Sequence, residues 1–213
     1  MTTRHYRWIK GFALAALLPL FAACSSEDDA IVQGREPQEV QVSISTRATA
    51  DGDMWTWQNG DVIGLQVTGY GSNTTTDYTL EYNNGTWNSN STISTTLPGT
   101  ITAWYPGGTG TSATSFTIPV NQNTNEYLCK ADFMTYSGDL ISTTPSVTLE
   151  HRLSKVIVTI TDWSDYGSTM PTVTDFHIQT KESITVNGST VTGDGNTIDI
   201  FPLQDEAAHS YTA

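Results

Sequence analysis

The sequence contains few cysteines, few basic residues and few charged residues of any kind. Its 213 residues include two cysteines, and nine lysine and arginine residues stand against 22 aspartate and glutamate residues. Two cysteines are too few for a disulfide-rich scaffold or a four-thiolate zinc site. A net charge of −13 excludes a protein that binds the phosphate backbone of nucleic acid. Only 15% of the residues are charged, compared with about 25% in an average globular domain. Threonine, serine, asparagine and glycine take their place, which is typical of β-proteins outside the cytoplasm.

Motifs that carry catalysis or bind cofactors are also missing. The sequence has no G-x-S-x-G elbow, no phosphate-binding P-loop and no H-E-x-x-H pair. Outside the first 23 residues, the histidines His151, His177 and His209 are far apart and share no metal-type spacing with carboxylates. Cys129 has only Lys130 as a basic neighbour, so we interpret it as a small buried hydrophobe. We therefore expect no enzyme, no cofactor and no metal.

Two Asp-Gly segments and five tryptophans each have two possible interpretations. Residues 51–53 (DGD) and 194–196 (DGN) could present oxygens to Ca²⁺, but neither begins a twelve-residue calcium loop, and Asp-Gly also signals a hairpin turn. We expect turns at both. The tryptophans could form a sugar-stacking platform, or they could be core residues and cross-strand pairs. They are Trp55, Trp57, Trp87, Trp104 and Trp163.

The N-terminus is a targeting segment. Arg4, Arg7 and Lys10 precede an apolar stretch at residues 11–23 that is too short to span a bilayer core of about 30 Å comfortably. The small residues before Cys24 resemble the lipobox of bacterial lipoproteins. This resemblance implies that residues 1–23 are a signal peptide and that Cys24 is lipidated and anchored to the outer membrane. The alternative is an ordinary secretory leader.

Residues 24–38 follow as an acidic segment without apolar periodicity, which predicts a flexible tether. The acidic cluster at residues 27–29 resembles a surface-export signal of lipoproteins, and a solvated linker is the alternative.

From residue 39 the pattern predicts β-structure. Val40, Val42 and Ile44 alternate with polar residues, as expected for one half-buried strand. Further short apolar alternations follow at intervals of 8–15 residues, separated by turn signals such as Asn84-Gly85. We expect an all-β sandwich over residues 39–165. Its central strand should be the β-branched run at residues 156–160 (VIVTI).

Residues 162–171 are interpreted as a linker, and residues 172–213 as the start of a second β-sandwich. These 42 residues are too few for a separate sandwich, because domains near 40 residues normally need additional cross-links. Either the second domain is incomplete in this chain or the segment packs on the first domain. We expect an incomplete second domain.

Several segments together resemble the fimbrillin family, the lipoprotein pilins of anaerobic Gram-negative bacteria. The order and spacing of these segments carry the resemblance rather than any one of them. They are the lipobox at Cys24, residues 44–48 (ISTRA), 57–65 (WQNGDVIGL), 105–106 (YP), 132–134 (DFM) and 149–156 (LEHRLSKV), with fainter matches at 201–203 and 211–213.

The resemblance implies two transthyretin-like β-sandwiches in tandem. It also implies a lipidated precursor that an arginine-specific protease cuts after the first strand, here between Arg47 and Ala48. Residues 39–47 would then be removable, with Val40, Val42 and Ile44 as the displaceable strand. Subunits of this family polymerise by donor-strand exchange.

Two functions therefore remain open. The first is a structural or accessory subunit of a cell-surface fimbrium, whose partners are other fimbrial subunits and which contributes to adhesion. The alternative is a monomeric cell-surface lipoprotein that binds glycans through exposed tryptophans.

Overall fold

The chain is described by a computed structural model over residues 35–46, 56–167, 173–205 and 209–213. Cys24, Arg47, Ala48 and the Asp-Gly segment at residues 51–53 lie outside these ranges. The described elements are β1 (Gln38–Glu39), β2 (Ser43–Thr46), β3 (Val62–Thr68), β4 (Thr75–Asn83), β5 (Thr86–Ser89), β6 (Ser94–Thr95), β7 (Gly99–Tyr105), β8 (Ser115–Thr117), α1 (Asn125–Lys130), β9 (Met134–Leu140), β10 (Ser146–His151), β11 (Ile157–Thr159), a 3₁₀ turn (Ser164–Tyr166), β12 (Ile178–Asn187), β13 (Thr190–Ile200), β14 (Leu203–Asp205) and β15 (Ser210–Thr212).

The expected all-β class is confirmed. The single described α-helix, α1, has six residues. It begins where the Thr124 hydroxyl accepts a hydrogen bond from the Tyr127 backbone N–H at 3.2 Å, which is an N-cap. Lys130 lies 2.7 Å from Glu126, one helical turn away. Within the described ranges, no helix is long and apolar enough to cross a membrane.

A seven-stranded sheet is the main feature of the fold. Its strand order is β2-β10-β9-β7-β3-β4-β5. The pairings are antiparallel except that of β2 with β10, which is parallel. The hairpin of β4 and β5 turns at Asn84 and Gly85, both with positive φ. The asparagine-glycine signal predicted this turn, because a two-residue loop of this hand requires positive φ at both positions.

The inner face of this sheet carries the first hydrophobic cluster. Alternate residues of β3, β7 and β10 are fully buried there, as the two-residue period of a strand requires. They include Ile63, Leu65, Ile101, Ala103, Val147 and Leu149.

A two-stranded sheet of β1 and β6 and two three-stranded sheets, with the orders β13-β12-β8 and β11-β15-β14, complete the described structure. Ile184 of β12 is opposite Phe116 of β8, and both belong to a second hydrophobic cluster with Trp104 and Phe133. The pairing of β12 with β8 therefore connects the two sides of the linker expected at residues 162–171. The sandwich details, the tandem arrangement and the domain boundaries stay predictions.

The expectation that residues 156–160 form the central strand is wrong. β11 is an outer strand of its small sheet, and Ile157 is 54% exposed. The strands whose inward-facing residues are fully buried are β3, β7 and β10 instead. A run of β-branched residues indicates a preference for extended backbone. The position of a strand in a sheet depends instead on the strands that pair with it, which are far away in sequence.

The second Asp-Gly segment is not a hairpin turn. Asp194 and Gly195 lie inside β13, where the register against β12 shifts between Lys181 and Ser183. Gly195 has φ +76°, and the Asn196 N–H donates to Glu182 Oε2 at 3.3 Å. An extra residue on one strand, with glycine at a positive φ, is a β-bulge.

Candidate functional site

The first described segment pairs with one edge of the main sheet through β2 and with β6, outside that sheet, through β1. β1 pairs with β6, and β2 pairs with β10. Between them, the Val40 N–H donates to the Ile93 carbonyl oxygen at 2.9 Å and the Gln41 N–H donates to that of Thr143 at 2.8 Å. The Ser43 N–H donates to the Pro145 carbonyl oxygen at 3.0 Å. Backbone hydrogen bonds therefore hold the segment along its length.

The side chains of this segment alternate between core and solvent. Val40 is 3% exposed and belongs to the first hydrophobic cluster, against which Val42 and Ile44 pack half-buried. Gln41 and Ser43, between them, are exposed. The three residues interpreted as the displaceable strand thus share one inward face, as the alternation of a strand requires.

The strand next to this segment, β10, contributes buried apolar side chains on one face and polar contacts on the other. Val147 and Leu149 of β10 are fully buried. On the solvent side, the Ser45 hydroxyl lies 3.0 Å from the Thr148 hydroxyl and donates to the Val147 carbonyl oxygen at 3.4 Å. Because β2 is the terminal strand of the sheet, removing it would convert β10 into an open edge.

Two other predicted site positions, Arg47 and Ala48, follow β2 in the sequence and lie outside the described residues, as does Cys24. Their assignment to processing and lipidation stays a prediction.

The described tryptophans pack against other side chains. Trp57 meets Trp87 edge to face, with ring centroids 4.9 Å apart, and meets Tyr105 at 5.3 Å. Trp104 is 5% exposed, and its indole N–H donates to the Thr111 hydroxyl at 2.9 Å. Trp163 is half-buried, edge-on to His209 at 5.0 Å. These contacts are those of core and cross-strand residues, and they give no support to a sugar-stacking platform.

Groups capable of chemistry are engaged in structural contacts. His151 Nδ1 lies 2.7 Å from Asp132 Oδ1. His177 Nδ1 lies 3.6 Å from Asp175, and its Nε2 lies 3.7 Å from Asp199. Burial raises the pKa of the half-buried Cys129 thiol to about 11, which disfavours the nucleophilic thiolate. Among the described residues, no group of three or more histidine, cysteine, aspartate or glutamate side chains is placed to hold a metal ion.

Two close pairs were not found by sequence reasoning. The Tyr105 hydroxyl donates to Asp61 Oδ1 at 3.0 Å, and the other pair is His151 with Asp132. All four residues belong to the segments that carry the family resemblance. Membership of those segments was the one feature of the sequence that could have pointed to these residues. Long-range pairing within those segments was not deduced, because nothing in one sequence states which segment lies next to which.

The described part of the chain also contains an apolar cavity and a polar cleft. The apolar cavity of about 230 Å³ lies between α1, the segment before β11, and β12, and is lined by Leu128, Leu153, Val156, Ile178 and Ile200 among others. A polar cleft of about 540 Å³ lies between the loop before β3 and α1, and Asp61 and Cys129 line it. Neither cavity adjoins the inward face of Val40, Val42 and Ile44, since none of these three residues lines them.

The chain is similar to two solved structures and to one family model. A fimbrial protein from Bacteroides ovatus ATCC 8483 is 18% identical, with a TM-score of 0.48 over 84% of this chain and 41% of that one. A "putative cell adhesion protein" from the same strain is 15% identical, with a TM-score of 0.53 over 84% of this chain and 78% of that one. The chain thus spans less than half of the first of these structures. No curated protein sequence matches it significantly. The model of the fimbrillin-like family matches residues 46–212, which is most of the sequence, and the chain belongs to that family.

Proposed function

We propose that the chain is a subunit of a cell-surface fimbrium that contributes to adhesion and is assembled by replacing its first strand with a strand of another subunit. Membership of the fimbrillin-like family supports the fimbrial role. The names of the two Bacteroides ovatus structures, a fimbrial protein and a cell adhesion protein, are consistent with it. We propose no catalytic role.

Export begins, in this proposal, with a lipid-anchored precursor. Signal peptide removal would leave Cys24 as the first residue, with acyl chains such as palmitate that hold the chain at the outer membrane. Two or more chains are needed, because one acyl chain gives only marginal, reversible binding.

A palmitate-labelling experiment tests the anchor. Cys24→Ala should abolish the label, while Cys129→Ala, which removes the only other cysteine, should retain it. A label that persists in Cys24→Ala would contradict lipidation at this position.

Release begins with cleavage between Arg47 and Ala48 by an arginine-specific protease. Arg47 is the only basic residue between Arg35 and Lys130, and it directly follows β2. After the cut, residues 35–46 would be held by hydrogen bonds and side-chain packing alone. The chain connection that keeps them next to β10 would be lost.

The edge position of β2, with Val40, Val42 and Ile44 facing the core, is the observation that carries the proposal. Departure of the segment would expose the apolar side chains of Val147 and Leu149. It would also leave the backbone of β10 without a paired strand on that side. An open edge of this kind binds another extended chain through main-chain hydrogen bonds, and alternate side chains fill its pockets.

Cleavage-dependent assembly is the test. The protein should form heat-sensitive ladders on denaturing gels after treatment with an arginine-specific protease. Arg47→Ala should remain a folded monomer, whereas Arg35→Ala, a matched change in the tether, should assemble normally. Ladders from Arg47→Ala, with the first segment still attached by mass, would overturn cleavage-triggered exchange.

A further inference from the structure

Strand β10 is paired by different strands along its two halves. Residues 146–149 are in register with residues 43–46 of β2, whereas Glu150 and His151 are in register with β9. Within the described part of the chain, none of residues 146–149 is in register with β9. The first half of β10 therefore has β2 as its partner strand, and the second half has β9.

The loop before β10 depends on the same partner. The Gln41 N–H donates to the Thr143 carbonyl oxygen at 2.8 Å, and the Ser43 N–H donates to that of Pro145 at 3.0 Å. Among the described residues, no other backbone hydrogen bond joins residues 141–145 to the rest of the fold. The backbone of residues 141–149 is therefore held by the first segment, residues 35–46.

Few side chains help to hold residues 141–149 in place. Val147 and Leu149 are fully buried, and Ile141 is 76% exposed. Ile44 of the first segment is in register with Val147 and packs against the hydrophobic cluster to which both buried residues belong. Departure of the first segment would thus remove the backbone partner and part of the apolar cover together. Keeping nine residues ordered would still cost conformational entropy.

We infer that residues 141–149 are ordered only while a strand lies against β10, and that they open when the first segment departs. This inference rests on the proposed function and adds a conformational step to it. The opening is local, because the residues that flank this stretch, Leu140 and Glu150, remain paired with β7 and β9.

The opposite end of the main sheet lacks this property. β5 is the terminal strand there, and its neighbour β4 is also paired with β3 through all seven residues of β3. Loss of β5 would leave β4 with a partner on its other side. Dependence on the terminal strand is thus a property of β10 itself and not a general consequence of lying next to the end of a sheet.

Local opening would protect a subunit that has lost its first strand. A rigid open edge pairs readily with any extended chain. A disordered stretch presents no such edge, and an incoming strand must order it while docking, which costs part of the binding free energy. The emptied subunit therefore accepts a strand more slowly and more selectively than a rigid groove would.

Hydrogen exchange in the uncut, full-length Cys24→Ala chain tests the inference without any cleavage. The double substitution Ser43→Pro and Ser45→Pro removes two backbone N–H groups from β2. One of them is the Ser43 N–H that donates to the Pro145 carbonyl oxygen. The matched control is Asn88→Pro, at an exposed position of β5 in register with β4.

In the unsubstituted chain, we expect the amides of residues 146–149 to exchange at least about a hundredfold more slowly than in the denatured chain. In the double proline variant this ratio should fall below about ten, while β7 keeps its slow exchange. Asn88→Pro should leave β4 slow. Protected amides at residues 146–149 in a variant whose residues 43–46 exchange freely would overturn the inference. Loss of protection in β7 as well would also overturn it, because the unfolding would then be global.

A second experiment repeats the measurement after cleavage with an arginine-specific protease and separation of the first segment, which mass spectrometry checks. Residues 146–149 should lose protection, and a synthetic peptide of residues 36–47 should restore it. Continued protection of residues 146–149 in the emptied chain would overturn the inference and leave strand departure intact. A first segment that cannot be separated from the folded chain would overturn the proposed function instead, and the proline variant would then decide the inference.

Discussion

The Tyr105 hydroxyl donates a hydrogen bond of 3.0 Å to Asp61 Oδ1, and the other carboxylate oxygen, Oδ2, accepts the Gln58 N–H at 2.7 Å. Asp61 thereby ties the tryptophan-containing loop before β3 to the end of β7. His151 and Asp132 tie β10 to the segment before β9 in the same way. The polar residues that carry the family resemblance therefore hold distant segments together.

The first prediction concerns this phenol. Burial, and then the Asp61 carboxylate, raise the pKa of Tyr105 above its usual range, so it stays a neutral donor. Tyr105→Phe removes the donor to Oδ1 of this partly buried carboxylate and should lower the free energy of unfolding by about 1.5–3 kcal/mol. Chemical denaturation measures the free energy of unfolding of both proteins. Tyr70→Phe, at an exposed tyrosine, should change stability by less than about 0.5 kcal/mol. Equal effects from the two changes would contradict the assignment.

The second prediction concerns the anchoring of the first strand before cleavage. Val40→Ala removes two buried methyl groups from the first hydrophobic cluster and should destabilise the uncleaved protein by about 1.5–3 kcal/mol. Ser43→Ala, at an exposed position of the same segment, should cost less than about 0.5 kcal/mol. Denaturant titration of both variants checks this, and a harmless Val40→Ala would show that the strand contributes little to the core.

The third prediction concerns the contact between Gly64 of β3 and the indole ring of Trp104. A Cβ atom at Gly64 would lie 2.1 Å from Trp104 Cε2, so a side chain there must displace the ring. Gly64→Ala should cost about 1–3 kcal/mol through overpacking. In a Trp104→Leu background the same change should cost clearly less, and a double-mutant cycle measures the difference. Additive costs would rule out the steric explanation.

The fourth prediction concerns the pH dependence of Cys129. Burial, and next the Asp61 and Asp132 carboxylates, raise its pKa from 9.0 to about 11. In Cys24→Ala protein, the alkylation rate should rise about tenfold per pH unit past pH 9, because only the thiolate reacts. In denaturant the thiol is exposed and titrates near its ordinary pKa of 9.0, so its alkylation rate should stop rising near pH 9. Since the folded chain keeps the proton to higher pH, this thiol's contribution to stability is present below pH 9 and is lost as pH rises through 11. A native plateau near pH 9 would refute the raised pKa.

The fifth prediction compares two aliphatic residues in different strands. Ile157→Asp places a charge at a 54% exposed position and should leave the fold intact. Leu149→Asp places a charge at a fully buried position of β10 and should unfold the protein. Circular dichroism and thermal melting distinguish the two. If Ile157→Asp unfolded the protein, that result would contradict the exposed position of Ile157 in β11.

The sequence by itself determined the features that depend on neighbours along the chain. It identified the all-β class, the inward alternation of Val40, Val42 and Ile44, and the hairpin at Asn84 and Gly85. Side-chain alternation and turn φ angles are local properties, so a single segment contains the information needed to predict them.

Tertiary structure alone decided where each strand lies. Residues 40–44 and 156–160 were predicted as a half-buried and a central strand, yet Val40 of the first is buried in the core and Ile157 of the second is exposed. Likewise Asp194 and Gly195 became a bulge rather than a turn, because β12 continues past them as a partner. Strand position, register and the pairing of Asp61 with Tyr105 depend on contacts between residues far apart in sequence, and these arise only when the whole chain packs.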